Sequence, residues 1–182
     1  DTLAAKDLPN GGEYYALRLR HFTTLDLTAE QIYQEGLKEV ARIKEEMMQV
    51  ISRSDFPKPK GMKADELFTV FVKYLRDDKR FYYESSQTML RDYSYIAKQM
   101  DAVLPKLFGH LPRLSYGLRE MPSFMAENAP MAYYYPGSTK NGISGTFIVN
   151  TTHLDQRPKF EMRALTFHEA VPGHHLQIAL AD

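Results

Sequence analysis

A chain of 182 residues with 43% hydrophobic content can bury a core of one domain or somewhat more. Its 23 basic and 23 acidic side chains balance, which removes the net field that draws in nucleic acid or an anionic membrane. With no cysteine, disulfides and thiolate metal sites are excluded, and histidines and carboxylates are the strong ligands that remain.

No run approaches the roughly 18 apolar residues that a membrane span needs. The chain opens at Asp1 and stops within a helical pattern, Leu176 to Asp182, so it reads as an internal piece of a longer protein. Residues 1–27 are mixed, with Pro9-Asn10-Gly11-Gly12 marking a turn. Thr28-Ala29-Glu30-Gln31 has the form of a capping box, in which the Thr28 hydroxyl accepts an orphan N–H and Gln31 reaches back. Behind it Ile32, Leu37, Val40, Ile43, Met47 and Val50/Ile51 recur at helical spacing, predicting a long amphipathic helix that ends before Pro57. A second helix is expected from Ala64 to Leu75 and a third from Ser86 to Phe108, kinked or ended early by Pro105. Gly109, Pro112 and Gly117 then break the pattern. Met131–Tyr135 and Gly145–Asn150 are rich in aromatic and β-branched residues and read as two strands around a Pro136–Gly142 loop. Phe160 to Val171 reads as helix again. The expected organisation is therefore a helical region, 1–117, followed by short strands leading into a histidine-bearing helix, 118–182: mainly α with a small β element, an α+β fold.

The segment His168-Glu169-Ala170-Val171-Pro172-Gly173-His174-His175 carries the chemistry. Zinc-dependent hydrolysis needs neutral imidazoles on the metal, an open position for water, and a carboxylate to take the proton. In the common His-Glu-x-x-His helix the two histidines stand one turn apart. Here His168-Glu169 fits, but position 172 is proline. At about 100° per residue, His174 lies some 120° off the His168 face of an unbroken helix. His175 returns to within ~20° of that face but sits ~10.5 Å further along the axis. Nitrogens of one zinc stand no more than ~4 Å apart. Pro172-Gly173 must therefore break the helix for either histidine to join His168. A two-residue excursion favours His174 as the second ligand; a longer one would place His175 there, and His175 could otherwise face the substrate. Glu169 is the candidate general base. His21, His110 and His153 stand alone and read as structural. Of the strand tyrosines 133–135, one could donate to a developing oxyanion, and Tyr134 is the candidate.

The stretch from His168 to Gln177 closely resembles the signature of a bacterial family known as domain of unknown function 885. Its members are often described as candidate lipoproteins and are grouped with the gluzincin metallopeptidases. Gly12-Glu13-Tyr14-Tyr15, Thr23–Thr28, Gly36–Val40, Arg42-Ile43, Leu107–Pro112, Ala132-Tyr133-Tyr134 and Phe147–Thr151 also match in order, so the resemblance covers essentially the whole chain. It implies a gluzincin-like fold with one zinc ion on His168 and His174 (or His175) and Glu169 as general base. It further implies that Gly145–Thr151 is an edge strand on which a peptide lies, with Gly145, Phe147 and Val149 meeting substrate. A periplasmic or lipid-anchored location, the anchor outside this chain, follows from the same source. Gluzincins take a third ligand from a glutamate on a later helix, in a Glu-Gly-Trp-Ala-like motif. No glutamate follows His175 and the chain has no tryptophan. The isolated chain is thus expected to hold zinc weakly and to lack activity, its partners being a peptide or protein substrate and the remainder of its own chain, with no nucleic acid. Two other readings are a metal-free helical binding or surface-interaction module, and a zinc hydrolase acting on a non-peptide amide or ester.

Overall fold

The computed structural model describes residues 4–181. They fall into two compact units that divide between Val72 and Lys73. The change of texture expected after residue 117 lies inside the second unit, within a strand.

In the first unit, helix α1 (Gly11–Thr23) follows directly from the Pro9–Gly12 turn, with Asn10 in the left-handed region at its N-cap. The residues read as mixed are thus largely helical. The Arg18 guanidinium lies 4.4 Å from the Phe22 ring centroid, an i,i+4 pairing that only a helix brings together. Helix α2 (Ala29–Arg53) starts at the expected capping box. Gln31 N–H donates to the Thr28 hydroxyl at 3.2 Å, and Thr28 N–H donates to the Gln31 carboxamide at 2.9 Å. Its polar side is laced by Arg42, which bridges Glu39 and Glu46 at 2.7 and 2.6 Å. Leu37, Val40, Ile43 and Met47 form the expected apolar stripe but stay exposed, so nothing in this unit covers them. Helix α3 (Ala64–Asp77) presents Phe71 edge-on to Phe56, centroids 5.3 Å apart.

The second unit opens with helix α4 (Ser86–Asp101), capped by the Ser85 hydroxyl. A separate short helix, α5 (Leu104–Leu107), follows with Pro105 in its first turn. The long helix expected to Phe108 is therefore two, because proline is tolerated at a helix start and not in an interior. Then come β1 (Tyr116–Glu120), the short helix α6 (Ser123–Ala126), β2 (Ala132–Tyr135), β3 (Gly145–Val149), α7 (Met162–Glu169) and α8 (His174–Ala181). Asp182, at the end of the last expected helical stretch, lies outside the described residues. Strand β1 was not anticipated: Gly117 reads as a breaker, and its strand character comes from its pairing with β3.

The sheet order is β1-β3-β2, with β3 parallel to β1 and antiparallel to β2. This corrects the expectation of an edge strand at Gly145–Thr151. Both sides of β3 are already paired, so no peptide can extend the sheet there, and Phe147 and Val149 are fully buried rather than presented to substrate. A strand covered on both faces reads as a continuous apolar run, as Phe147-Ile148-Val149 does. One face packs on α4 and α7 through Met89, Tyr93, Phe147, Val149, Met162 and Ala170. The Tyr93 and Phe147 rings meet perpendicularly at 5.5 Å. The other face sets Ile148 against Met121 and Ala126. The result is a mainly α molecule with one small sheet, and that sheet is the platform for α7.

Just past β3, the buried Asn150 ties the loops together. Its amide donates to the carbonyls of Ala126 (2.7 Å), Pro130 (3.2 Å) and Ala129 (3.3 Å). Its oxygen accepts from the backbone N–H and hydroxyl of Thr152 at 3.0 and 2.7 Å. Asn150→Ala removes this side-chain donor from the buried Ala126 carbonyl and the partly buried Ala129 and Pro130 carbonyls, and should cost about 1–3 kcal/mol of unfolding free energy in urea denaturation. A second expectation concerns acid. The Tyr83 hydroxyl donates to Asp92 at 2.7 Å, and this bond, opposed by partial burial and aided by Arg91, holds the Asp92 carboxyl below its ordinary range. A depressed carboxylate contributes stability that is fully present above its unfolded pKa of about 3.9 and is lost as pH falls through the folded value. Tyr83→Phe should therefore lower stability at pH 7 and make progressively less difference below about pH 4, read from denaturation curves across pH.

Candidate metal centre

Helix α7 stands on the sheet through Met162 and the fully buried Thr166, whose hydroxyl donates to the Met162 carbonyl at 2.7 Å. It ends at Glu169, and Ala170 leaves the helical region with φ −100° and ψ −103°. Val171, Pro172 and Gly173 form a turn, in which the Val171–Pro172 peptide is cis, and α8 starts at His174. The His175 N–H reaches back to the Ala170 carbonyl at 3.0 Å, which ties the new helix to the old. Gly173 is needed because of crowding: a Cβ there would overlap the carbonyl oxygens of His168 and Phe167, both backbone atoms with nowhere to move. Beneath the turn, Val171 and Leu176 pack on Leu104.

The break brings together what an unbroken helix would hold apart. His168, Glu169 and His174 each offer one ligand atom, and these lie within 4.8 Å of one another. The two imidazole centroids are 4.7 Å apart with the rings nearly perpendicular, at 84°. Glu169 is only 8% exposed, and its carboxylate stands 4.0 Å from His174 Nε2. Ligands at 2.0–2.1 Å from a common zinc require nitrogens within ~4 Å, and the ligand atoms here already stand within 4.8 Å of one another. His168 is exposed and His174 half-buried, which leaves the pair open on its outer side. Two imidazoles converging from one side are donors that fit zinc, with room for further ligands and with the Glu169 carboxylate beside them.

His175 is placed differently. It is 2% exposed. Its Nε2 lies 3.1 Å from the Leu114 carbonyl, which can only accept, so Nε2 carries the proton. Nδ1 then accepts from the Tyr134 hydroxyl at 2.9 Å. Burial holds the His175 pKa below its usual value, only partly offset by the bond to Leu114, so the ring is neutral. With both nitrogens occupied and turned inward, His175 is neither the alternative metal ligand nor a substrate-facing group. Of the two candidates, His174 is the one that stands with His168 and Glu169. The Tyr134 hydroxyl is likewise committed to His175, and burial raises its pKa, so it keeps the proton it donates; this corrects its expected role toward substrate. Gly145, rather than meeting substrate, is the gap into which the Tyr134 ring fits, since a Cβ there would overlap its hydroxyl end.

The Tyr116 ring lies 4.7 Å from His175, tilted by 45°, and its hydroxyl donates to Asp101 at 3.0 Å. No sequence signal marked Leu114, Tyr116 or Asp101: one acts through a backbone carbonyl, and the others come from a strand and a helix brought together only by folding. The remaining histidines lie outside the cluster. His153 faces Glu127 at 3.1 Å on the surface, and His21 meets Phe22 edge-on.

A family model described as "Bacterial protein of unknown function (DUF885)" matches residues 1–182. No curated protein matches the chain. Among solved structures, the crystal structure of "the putative lipoprotein from Colwellia psychrerythraea" is similar, at 29% sequence identity and a TM-score of 0.80. That likeness covers 96% of this chain and 29% of the other, so the chain spans under a third of the length of that relative. Among the described residues, no helix is long and apolar enough to cross a membrane.

Gly173→Ala should force α7 and α8 apart at the carbonyl of His168. We expect a loss of about 1–3 kcal/mol in stability and a fall in zinc affinity of at least tenfold by chelator competition. Unchanged affinity would show that the close approach of Gly173 is not what pairs the histidines.

Proposed function

The chain belongs to the DUF885 family, and on that premise we propose that it supplies the two histidines and the general base of a zinc-dependent peptidase. One observation carries the reading. His168 and His174 are six positions apart, a spacing no regular helix can use for one metal, yet a built interruption brings their rings to 4.7 Å with a buried carboxylate alongside.

His168 and His174 would hold the ion through their free ring nitrogens. Zinc, when bound, supplies Lewis acidity that lowers the pKa of water toward ~7 and polarises a carbonyl. Glu169 takes the proton of the attacking water and passes it to the leaving amine, so that water and an amide become a carboxylic acid and an amine. Its low exposure suits the role, since a carboxylate shielded from solvent exchanges its proton with the reactants rather than with bulk water. The open outer side of the pair is where an extended peptide would approach. The similarity to a protein named as a lipoprotein supports a membrane-anchored or periplasmic setting for the whole protein.

The test is metal analysis of the whole protein together with hydrolysis of a peptide library, a panel of non-peptide amides and esters serving as the contrast. Glu169→Gln should keep the metal and lower kcat by about 10²–10⁴-fold. Unchanged turnover in that variant would remove Glu169 from the mechanism. Cleavage confined to the non-peptide panel would reassign the bond.

A further inference from the structure

We propose that His175 is a positioning residue for the metal pair: clamped between the Leu114 carbonyl and the Tyr134 hydroxyl, it sets the rotation of α8 and so aims His174 at His168. The inference rests on the zinc reading above.

The need for such a device comes from the break itself. Helix α8 begins at His174, so its first ligand has no preceding turn of helix to orient it. Gly173, seated against the His168 carbonyl, limits how far α8 stands from α7, but a single close approach does not fix rotation about the α8 axis. Side chains reach about 5–6 Å from a helix axis, so a 20° rotation carries an imidazole by roughly 2 Å. Metal–ligand distances tolerate only about ±0.2 Å. The rotation must therefore be held within a few degrees.

Consecutive residues lie about 100° apart around the axis, so fixing His175 fixes His174. His175 is suited to this. It is a rigid planar ring bonded at both nitrogens, at 3.1 and 2.9 Å, with Tyr116 tilted against it at 4.7 Å and Tyr134 edge-on at 5.6 Å. The bonds leave from the two different ring nitrogens, so the ring cannot shift along the line between its partners without lengthening one of them. Tyr134 has little slack of its own, because its hydroxyl end fills the space left by the missing side chain of Gly145 on the central strand. The clamp thus refers the metal ligand to the most deeply buried strand of the unit.

Long-range ¹H–¹⁵N NMR of the imidazoles, with and without Zn²⁺, combined with Zn²⁺ affinity by chelator competition, tests the proposal in the whole protein. Zn²⁺ should move ring nitrogens of His168 and His174 into the metal-bound range, while His175 keeps its Nε2–H tautomer throughout. Tyr134→Phe keeps the ring and removes only the donor to Nδ1; it should remain folded by circular dichroism and bind Zn²⁺ about tenfold more weakly. A His175 nitrogen moving into the metal-bound range, or wild-type affinity in a folded Tyr134→Phe protein, overturns the positioning role alone. Absence of Zn²⁺ binding by the unsubstituted protein overturns the metal reading, and this inference with it.

Discussion

The interruption between Glu169 and His174 is the constraint on which the rest of the second unit depends. A continuous helix would carry His168 and His174 to different faces, and it would expose Val171 and Leu176, which are instead buried against Leu104. The turn serves both ends at once: it buries its own apolar residues and folds the chain back by the amount that pairs the imidazoles. Glycine at position 173 allows the backbone of one helix start to touch the backbone of another helix end, a contact that any Cβ would prevent.

Two adjacent histidines consequently live in opposite environments. His174 is half-exposed beside His168 and Glu169, where a cation would be shared. His175 is sealed inside, neutral, with a tautomer set by a carbonyl on one side and a hydroxyl on the other. This pattern, a group on the metal side backed by hydrogen-bonded residues that fix its direction, is how proteins impose geometry on a metal site. On the proposed reading, the pair His174-His175 divides a task between neighbours instead of duplicating a ligand.

The sheet gives this arrangement its foundation. Because β3 is the middle strand, its side chains belong to the two cores above and below it, and its glycine accommodates the tyrosine that meets His175. Among the described residues the free edges of the sheet belong to β1 and β2, so an extended ligand could pair only there. Asn150, immediately after β3, then holds three carbonyls of the 126–130 segment and fixes the loop entering β2.

What the sequence determined by itself is what short-range chemistry dictates. The capping box at Thr28 and Gln31 starts its helix because both partners lie within one turn. The aromatic and β-branched run 145–150 announced a strand, though an edge strand was expected, and the spacing of His168, Pro172 and His174 already required a broken helix, since 3.6 residues per turn leaves no other way to pair them. Even the preference for His174 could be argued from that geometry. What only the tertiary structure decided involves partners distant in the chain. The position of β3 between β1 and β2 depends on pairing that no local pattern encodes, and so does the strand character of Tyr116–Glu120. The inward placement of His175 depends on a carbonyl 61 residues away and a hydroxyl 41 residues away. Sequence spacing limits which atoms can meet along one helix; burial and long-range hydrogen bonds select which of them remain free to bind.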